Sequence, residues 1–70
     1  MTDNITPEIV KERAYQARVS VNKLMKRAKV SNSTLWRWQN EGADPHPITI
    51  AKIVDALEAF EAEFEVERTL

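Results

Sequence analysis

The segment VSNSTLWRWQNEG, residues 30–42, brings together amides, hydroxyls, an arginine and two tryptophans. On a helix, which turns by about 100° per residue, four of these side chains lie around one outward side: Ser33, Trp36, Arg37 and Asn40. Arginine presents a rigid fork of donors, and asparagine presents a donor beside an acceptor. Both can therefore form paired hydrogen bonds with the planar edges of nucleobases.

The two tryptophans, two positions apart, cannot share a helix face. Trp38 and Gln39 fall close to Leu35, and these three predict the inward side. Trp36 lies about 100° from Leu35, beside the outward polar face. An alternative for Trp36 is packing over the first helix or at a subunit interface.

Helix signals surround this segment. Thr6-Pro7-Glu8 is typical of a helix start, because threonine caps, proline suits the first position and glutamate favours the positive end of the dipole. Apolar spacing and capping residues predict a flexible start over 1–5 and helices over 7–18, 21–28, 31–41 and 49–65. The predicted apolar stripes are Val10, Ala14 and Ala17 in the first helix, Val21, Leu24, Met25 and Ala28 in the second, and Ile50, Ile53, Val54, Leu57, Phe60 and Phe64 in the fourth. Ser20, Ser31 and Thr49 are the expected caps of the last three helices, and Gly42 is the expected left-handed terminator. The sequence thus predicts a single all-α domain over residues 1–70.

The stretch AEFEVE, residues 62–67, has two interpretations. Its alternation is that of a strand, which could pair across a dimer. However, Phe60 and Phe64 also share a helix face, and alanine and glutamate favour helix. We therefore expect helix to about residue 65, with Leu57, Phe60 and Phe64 as the dimer interface, because a chain of 70 residues gains stability from a partner.

The net charge of −1 hides a separation along the chain. Residues 11–37 hold eight basic side chains and one acidic one, whereas residues 38–70 hold eight acidic and two basic ones. Salt screens charges beyond about 8–10 Å, so a polyanion responds to the local field rather than to the average. The basic region therefore favours a nucleic-acid partner. For Arg37 the alternative is an ion pair with Glu41, and for Asn32 and Ser33 it is a simple helix start. An ordinary solvated helix face is the alternative for Lys23, Lys26, Arg27 and Lys29.

Other classes of protein lack support in the sequence. There is no cysteine, the only histidine is His46, and neither a catalytic triad nor a glycine-rich phosphate loop is present. We expect no enzyme activity, cofactor, metal site or small-molecule ligand. No apolar run approaches the ~20 residues that span a bilayer, and no basic-then-apolar leader is present, so we expect a cytoplasmic protein without a membrane partner.

The residues LMKRAKVSNSTLWRW, 24–38, resemble the helix-turn-helix of the Cro and phage-repressor (XRE-type) family of bacterial DNA-binding proteins. The motif's buried positions correspond to Leu24, Ala28, Val30, Leu35 and Trp38. PITIAKIVDAL, residues 47–57, resembles the helix that follows in many members. Glycine usually occupies the turn position of Lys29, which we expect to be left-handed at a cost of about 1–2 kcal/mol.

The resemblance implies a compact lambda-repressor-like domain of four to five helices. It further implies a sequence-specific regulator of transcription, a small phage or prophage repressor that binds a palindromic operator on double-stranded DNA as a homodimer, within the bacterial nucleoid. The implied base-reading residues are Asn32, Ser33, Trp36 and Arg37. The implied contacts to the DNA backbone are Arg18, Asn22, Lys23, Lys26, Arg27, Lys29, Thr34, Asn40 and Lys52.

Two other functions remain open at this point. The first is a protein-interaction module, antitoxin-like or a polymerase adaptor, anchored by Trp36 and the phenylalanines. The second is the recognition subunit of a recombination or excision complex, which would also bind DNA. Salt-sensitive binding to DNA separates the first alternative from the regulator.

Overall fold

The computed structural model describes residues 5–69, with side chains from residue 5 to residue 67. Four helices make up most of this part: α1 (Pro7–Gln16), α2 (Val21–Ala28), α3 (Asn32–Glu41) and α4 (Pro47–Thr69). The stretch 62–67 is helical, so the strand interpretation of it is wrong. Of the predicted flexible start, residues 1–4 lie outside the described residues, and Ile5 packs against the core.

The core lies where α2 packs along α4 and α1 packs against the other three helices. Its largest fully buried side chains are Val10, Leu24, Met25, Ile53 and Leu57. These residues come from the predicted apolar stripes of α1, α2 and α4, and the predicted stripe of α3 adds Leu35 and Trp38. The amphipathic spacing thus predicted most of the buried residues, although Val21, Ile50 and Val54 are only half-buried.

Helix ends match the expected caps in three places. Ile9 N–H donates to Thr6 Oγ1 at 3.2 Å, Lys23 N–H to Ser20 Oγ at 3.1 Å, and Ser33 N–H to Ser31 Oγ at 3.1 Å. Each bond satisfies a backbone donor that has no partner within its own helix. The caps predicted for α1, α2 and α3 are therefore confirmed.

The cap predicted for α4 is wrong, because the helix begins at Pro47 rather than after Thr49. His46 fills the role instead: Ile48 N–H donates to His46 Nδ1 at 3.1 Å, and Ile50 N–H donates to the His46 carbonyl at 3.1 Å. Proline suits the first helical position because its missing N–H would have no partner there anyway. At its other end α4 continues to Thr69, beyond the expected residue 65.

Two helices are followed by basic residues with a left-handed backbone. Lys29 has φ 59° and Arg18 has φ 60°. After α2, Lys29 N–H donates to the Lys26 carbonyl at 3.1 Å and Val30 N–H to the Met25 carbonyl at 3.0 Å. This is the hydrogen-bond pattern of a Schellman motif. The left-handed conformation expected of Lys29 is confirmed.

Arg18 closes α1 in the same way, with Arg18 N–H on the Tyr15 carbonyl and Val19 N–H on the Ala14 carbonyl. The helix predicted over 7–18 therefore ends at Gln16. Because no glycine marks this turn, the sequence pattern predicted a helix that is two residues too long. Val19 is half-buried and packs on the core, as the residue after a left-handed terminator often does.

Lys29→Gly is expected to raise the free energy of unfolding by about 0.5–1 kcal/mol. The left-handed backbone costs a residue with a side chain about 1–2 kcal/mol, and the greater freedom of glycine in the unfolded chain offsets part of this gain. Urea unfolding with an unchanged slope would measure it. Lys26→Gly is the matched control, since it removes the same side chain from the interior of α2 and should cost about 1 kcal/mol. Equal destabilisation by both variants would contradict the strain at Lys29.

An ion pair joins α1 to α4. Arg13 Nε donates to Glu61 Oε2 at 2.8 Å, and Arg13 Nη2 donates to Glu61 Oε1 at 2.7 Å. The hydrogen bond from Arg13 lowers the pKa of Glu61, partial burial opposes this by raising it, and the positive charge of Arg13 lowers it further. The net result is a pKa below the usual value of 4.5.

Glu61→Gln should cost about 0.5–1 kcal/mol at neutral pH, because both side chains are partly exposed and solvent screens the pair. The contribution of Glu61 is present above its unfolded-state pKa and is lost as the pH falls through the lower folded-state pKa. The difference in unfolding free energy between parent and variant should therefore shrink below about pH 4.5. Denaturant unfolding across this range tests the prediction, with exposed Glu58→Gln on the same helix as control. A difference that persists at the acid end would contradict it.

Within residues 5–69, none of the helices combines the length and the apolar character needed to cross a bilayer.

Candidate nucleic-acid interface

Helix α3 is held at both ends by residues outside it. At its start, the Ser31 and Ser33 hydroxyls lie 2.6 Å apart and share a hydrogen, while Ser31 Oγ also accepts the Ser33 N–H. At its end, Gly42 has φ 67°, which a glycine adopts without strain. These residues therefore define the start and the end of α3.

The two tryptophans lie on different sides of α3. Trp38 is only 6% exposed and, with Leu35, fixes the helix to the core, whereas Trp36 is 57% exposed. This confirms the predicted division between an inward Trp38 and an outward Trp36. Gln39, which was predicted to face inward, is exposed instead, because the contact with the core is centred on Leu35 and Trp38.

The outward side of α3 forms what we call the recognition face: Ser33, Trp36, Arg37 and Asn40, all of them exposed. The alternative ion pair of Arg37 with Glu41 does not form, and the Arg37 guanidinium makes no hydrogen bond or ion pair with any side chain of the described residues. Asn40 Nδ2 donates to the Trp36 carbonyl at 2.9 Å. Arg37 is thus the charged donor that this face leaves available.

A shallow groove of about 460 Å³ lies at the amino-terminal end of α3, beside α2. Across it, Asn32 Nδ2 donates to Asn22 Oδ1 at 3.0 Å. Lys23 and Lys26 line the same groove, together with Met25 and Val30. The structure therefore brings together the residue predicted to read a base, Asn32, and three residues predicted to contact the backbone.

Arg27 lies elsewhere, against α4. Its Nη1 donates to Glu63 Oε2 at 3.0 Å, and its Cζ lies 4.8 Å from the centroid of the Phe60 ring. Lys23 Nζ lies 5.8 Å from the same centroid. We call Lys23, Arg27, Phe60 and Glu63 the α2–α4 charge cluster. Arg27 therefore stays a predicted contact to the DNA backbone, but in this structure an acidic side chain and an aromatic ring hold it.

The remaining predicted contact residues are dispersed. Arg18 lies at the left-handed end of α1, with its Cζ 6.0 Å from the Phe64 ring centroid. Lys29 is exposed at the turn before α3, Thr34 is half-buried, and Lys52 is exposed on α4 beside Asp55 and Arg27 in a depression of about 260 Å³. Lys23, Lys26 and Lys29, the lysines near the start of α3, make no ion pair within the described residues.

The predicted dimer interface requires a correction. Leu57 is 1% exposed and Phe60 is 7% exposed, so both belong to the core of this chain. Phe64 is half-buried and carries Arg18 over its ring. The apolar stripe of α4 was assigned to a partner because sequence spacing shows that a face is buried without showing what buries it. Here α1 and α2 pack against α4.

Sequence reasoning missed Glu63 and the ring of Phe60 as partners of the basic side chains. The Arg27–Glu63 pair spans 36 positions, so no local spacing indicates it. The only signal was the charge separation between residues 11–37 and 38–70, which indicates a basic and an acidic region but not a contact between them. The structure shows that the two regions are in contact.

No group of three or more metal-ligating side chains comes together among residues 5–69. Comparisons with protein-family models, with curated proteins and with solved structures found no match to this chain. The geometry of α2, α3 and α4 is therefore the basis on which a function can be inferred.

Proposed function

We propose that this protein is a sequence-specific regulator of transcription that binds double-stranded DNA through α3, in the manner of a small Cro-like phage or prophage repressor. The observation that carries the proposal is the recognition face, where Arg37 is exposed and unpaired among the described side chains while Trp38 fixes the opposite side to the core. An α-helix of this kind fits the major groove of B-form DNA.

The recognition face supplies the chemistry that reading bases requires. Arg37 can donate two hydrogen bonds to a guanine, and the exposed ring of Trp36 can contact a thymine methyl group. Ser33 offers a hydroxyl that can either donate or accept. Asn32 donates one amide hydrogen to Asn22, which leaves its Oδ1 to accept from the N6 amino group of an adenine and its second amide hydrogen to donate to N7. Four neighbouring side chains would then read a short half-site.

Phosphate contacts would come from the groove and the turn beside α3. Lys26 and Lys29 flank its amino-terminal end, and Asn22 and Lys23 line the groove. Such contacts position a protein on the duplex without carrying sequence information. The turn held by Lys29 sets how α2 and α3 are placed relative to each other, as in helix-turn-helix proteins, where the first helix crosses the backbone and the second enters the groove.

A homodimer would place two α3 helices on half-sites about 34 Å apart. Because Leu57 and Phe60 are in the core, the dimer contact would have to use exposed residues. Repression would follow from occupation of the operator, which blocks polymerase. The proposal places the protein in the bacterial cytoplasm, bound to the nucleoid.

Selection of bound duplexes from a random pool, followed by polarisation titration of the winners against scrambled duplexes, tests the proposal. We expect a consensus with two-fold symmetry, and specific binding at least about a thousand-fold tighter than binding to scrambled DNA. Binding should weaken steeply with salt, because phosphate contacts release counterions. Failure to enrich any sequence, with no binding at low salt, would reject DNA binding.

One observation favours a second candidate, a protein-interaction module. Trp36 is 57% exposed, and tryptophan is enriched among the residues that contribute most to protein interfaces. In this candidate the acidic residues of α4 would meet a basic partner. The same titration separates the two functions, because a protein-binding module would not show salt-sensitive affinity for duplex DNA.

A further inference from the structure

The α2–α4 charge cluster includes Arg27, one of the residues predicted to contact the DNA backbone. Arg27 donates to Glu63 at 3.0 Å, and the exposed fractions of the two side chains are 45% and 57%. Its guanidinium also lies 4.8 Å from the Phe60 centroid, within the distance at which an aromatic face attracts a cation. Two contacts, one ionic and one with a ring, therefore hold Arg27 along α4.

A phosphate group would compete for the same donors. A guanidinium binds carboxylates and phosphates by the same charge-assisted hydrogen bonds, and Glu63 already occupies Nη1. Arg27 can contribute to phosphate binding only when it leaves Glu63 or shares its remaining donors. Because the pair is exposed at the surface, solvent keeps its strength modest, so the competition alters the affinity without abolishing binding.

A second carboxylate lies near the basic side chains of α2. A small cavity of about 200 Å³ between the end of α1, α2 and α4 is lined by Arg18, Lys23, Glu63 and Glu67, together with Phe60 and Phe64. Two carboxylates thus lie among the basic side chains of one side of α2. Lys26, about 100° around α2 from Arg27, lines the groove beside α3 and makes no ion pair within the described residues.

We infer that Glu63 is an intramolecular competitor of DNA phosphate at Arg27 and thereby lowers the sequence-independent part of DNA binding. The inference rests on the proposed function and adds a regulatory contact to it. Sequence-independent affinity grows with the number of phosphates that lysine and arginine neutralise. When Glu63 holds Arg27, one phosphate contact fewer forms, so the affinity for random-sequence DNA is lower. The recognition face is not affected, because Glu63 does not contact it.

Glu63→Gln tests this inference against Glu58→Gln, which removes the same charge from an exposed position on the same helix. On random-sequence duplexes, Glu63→Gln should bind about two- to five-fold tighter than Glu58→Gln, the range expected for releasing a surface ion pair. The slope of log affinity against log salt should steepen by about 0.9, as expected for one more phosphate contact. Thermal unfolding of both variants checks that each is folded.

The gain in affinity for random-sequence DNA should disappear when Arg27→Gln is added to Glu63→Gln. Lys26→Gln, in contrast, should weaken DNA binding equally in the parent and in Glu63→Gln. A gain equal to that of Glu58→Gln, or one that survives loss of Arg27, overturns the inference. Elution from immobilised heparin provides a readout that does not require an operator. Glu63→Gln could elute from heparin at higher salt than Glu58→Gln while sequence selection finds no consensus. This result would support competition between Glu63 and an anionic ligand at Arg27 and would contradict the proposed function. If a consensus appears and retention is unchanged, the competition alone is rejected.

Discussion

Trp38→Ala is expected to lower the free energy of unfolding by about 3–5 kcal/mol, the usual cost of deleting a buried tryptophan. Trp38 is 6% exposed and, with Leu35, supplies the buried residues of α3. A chain of 70 residues has a total stability of about 4–10 kcal/mol. The variant should therefore lose a large fraction of its stability. Urea unfolding followed by circular dichroism measures the loss.

Trp36→Ala is the matched control, because it deletes the same side chain two positions away. Its cost should stay below about 1 kcal/mol, since more than half of this side chain is already in water. Trp38→Phe, which keeps most of the apolar volume, should fall between the two and remain measurable if Trp38→Ala does not fold. Similar losses of unfolding free energy for Trp36→Ala and Trp38→Ala would mean that α3 is not fixed to the core through Trp38. The outward orientation of the recognition face would then be contradicted.

The interior of this protein could be predicted from sequence because periodicity is a local property. The stripe of Leu24, Met25 and Ala28 in α2 follows from 3.6 residues per turn, and all three are buried. Capping is equally local, as Ser20 and Ser31 show. The end of α1 was predicted less well, because a left-handed arginine at position 18 has no marker comparable to a glycine.

Contacts between distant parts of the chain could not be predicted in this way. The stripe of α4 indicated that Leu57 and Phe60 are buried, but only the fold shows that α1 and α2 cover them rather than a second subunit. Likewise, the basic character of α2 was evident, whereas the pairing of Arg27 with Glu63 depends on how α2 crosses α4. Helix faces therefore follow from spacing, and the partners of those faces follow from topology.

The same distinction applies to the recognition face. Helical geometry alone placed Ser33, Arg37 and Asn40 outward, and the structure agrees. What the sequence left open was whether Glu41 would pair with Arg37, since an interval of four residues favours such a pair. The pair does not form, and this leaves the guanidinium available for a partner outside the chain.

Arg37→Ala should cost about 1–3 kcal/mol of binding to the selected DNA site and relax the preference at one base position. The expected reason is the loss of two hydrogen bonds to a guanine edge, which an unpaired guanidinium can make and alanine cannot. Affinity for scrambled duplexes should change much less. Polarisation titrations against a panel of sites, each altered at one base pair, would locate the position at which the preference is lost.

Arg37→Lys separates charge from geometry at this position. Lysine keeps the positive charge but lacks the planar fork, so it should retain affinity for scrambled DNA and lose much of the discrimination that Arg37 provides. Lys26→Gln should behave in the opposite way, weakening all sequences alike and flattening the salt dependence by about one ion. If Arg37→Ala weakens every duplex equally and leaves the base preferences intact, Arg37 contacts phosphate rather than a base. The role of α3 in reading sequence would then have to depend on Asn32, Ser33 and Trp36.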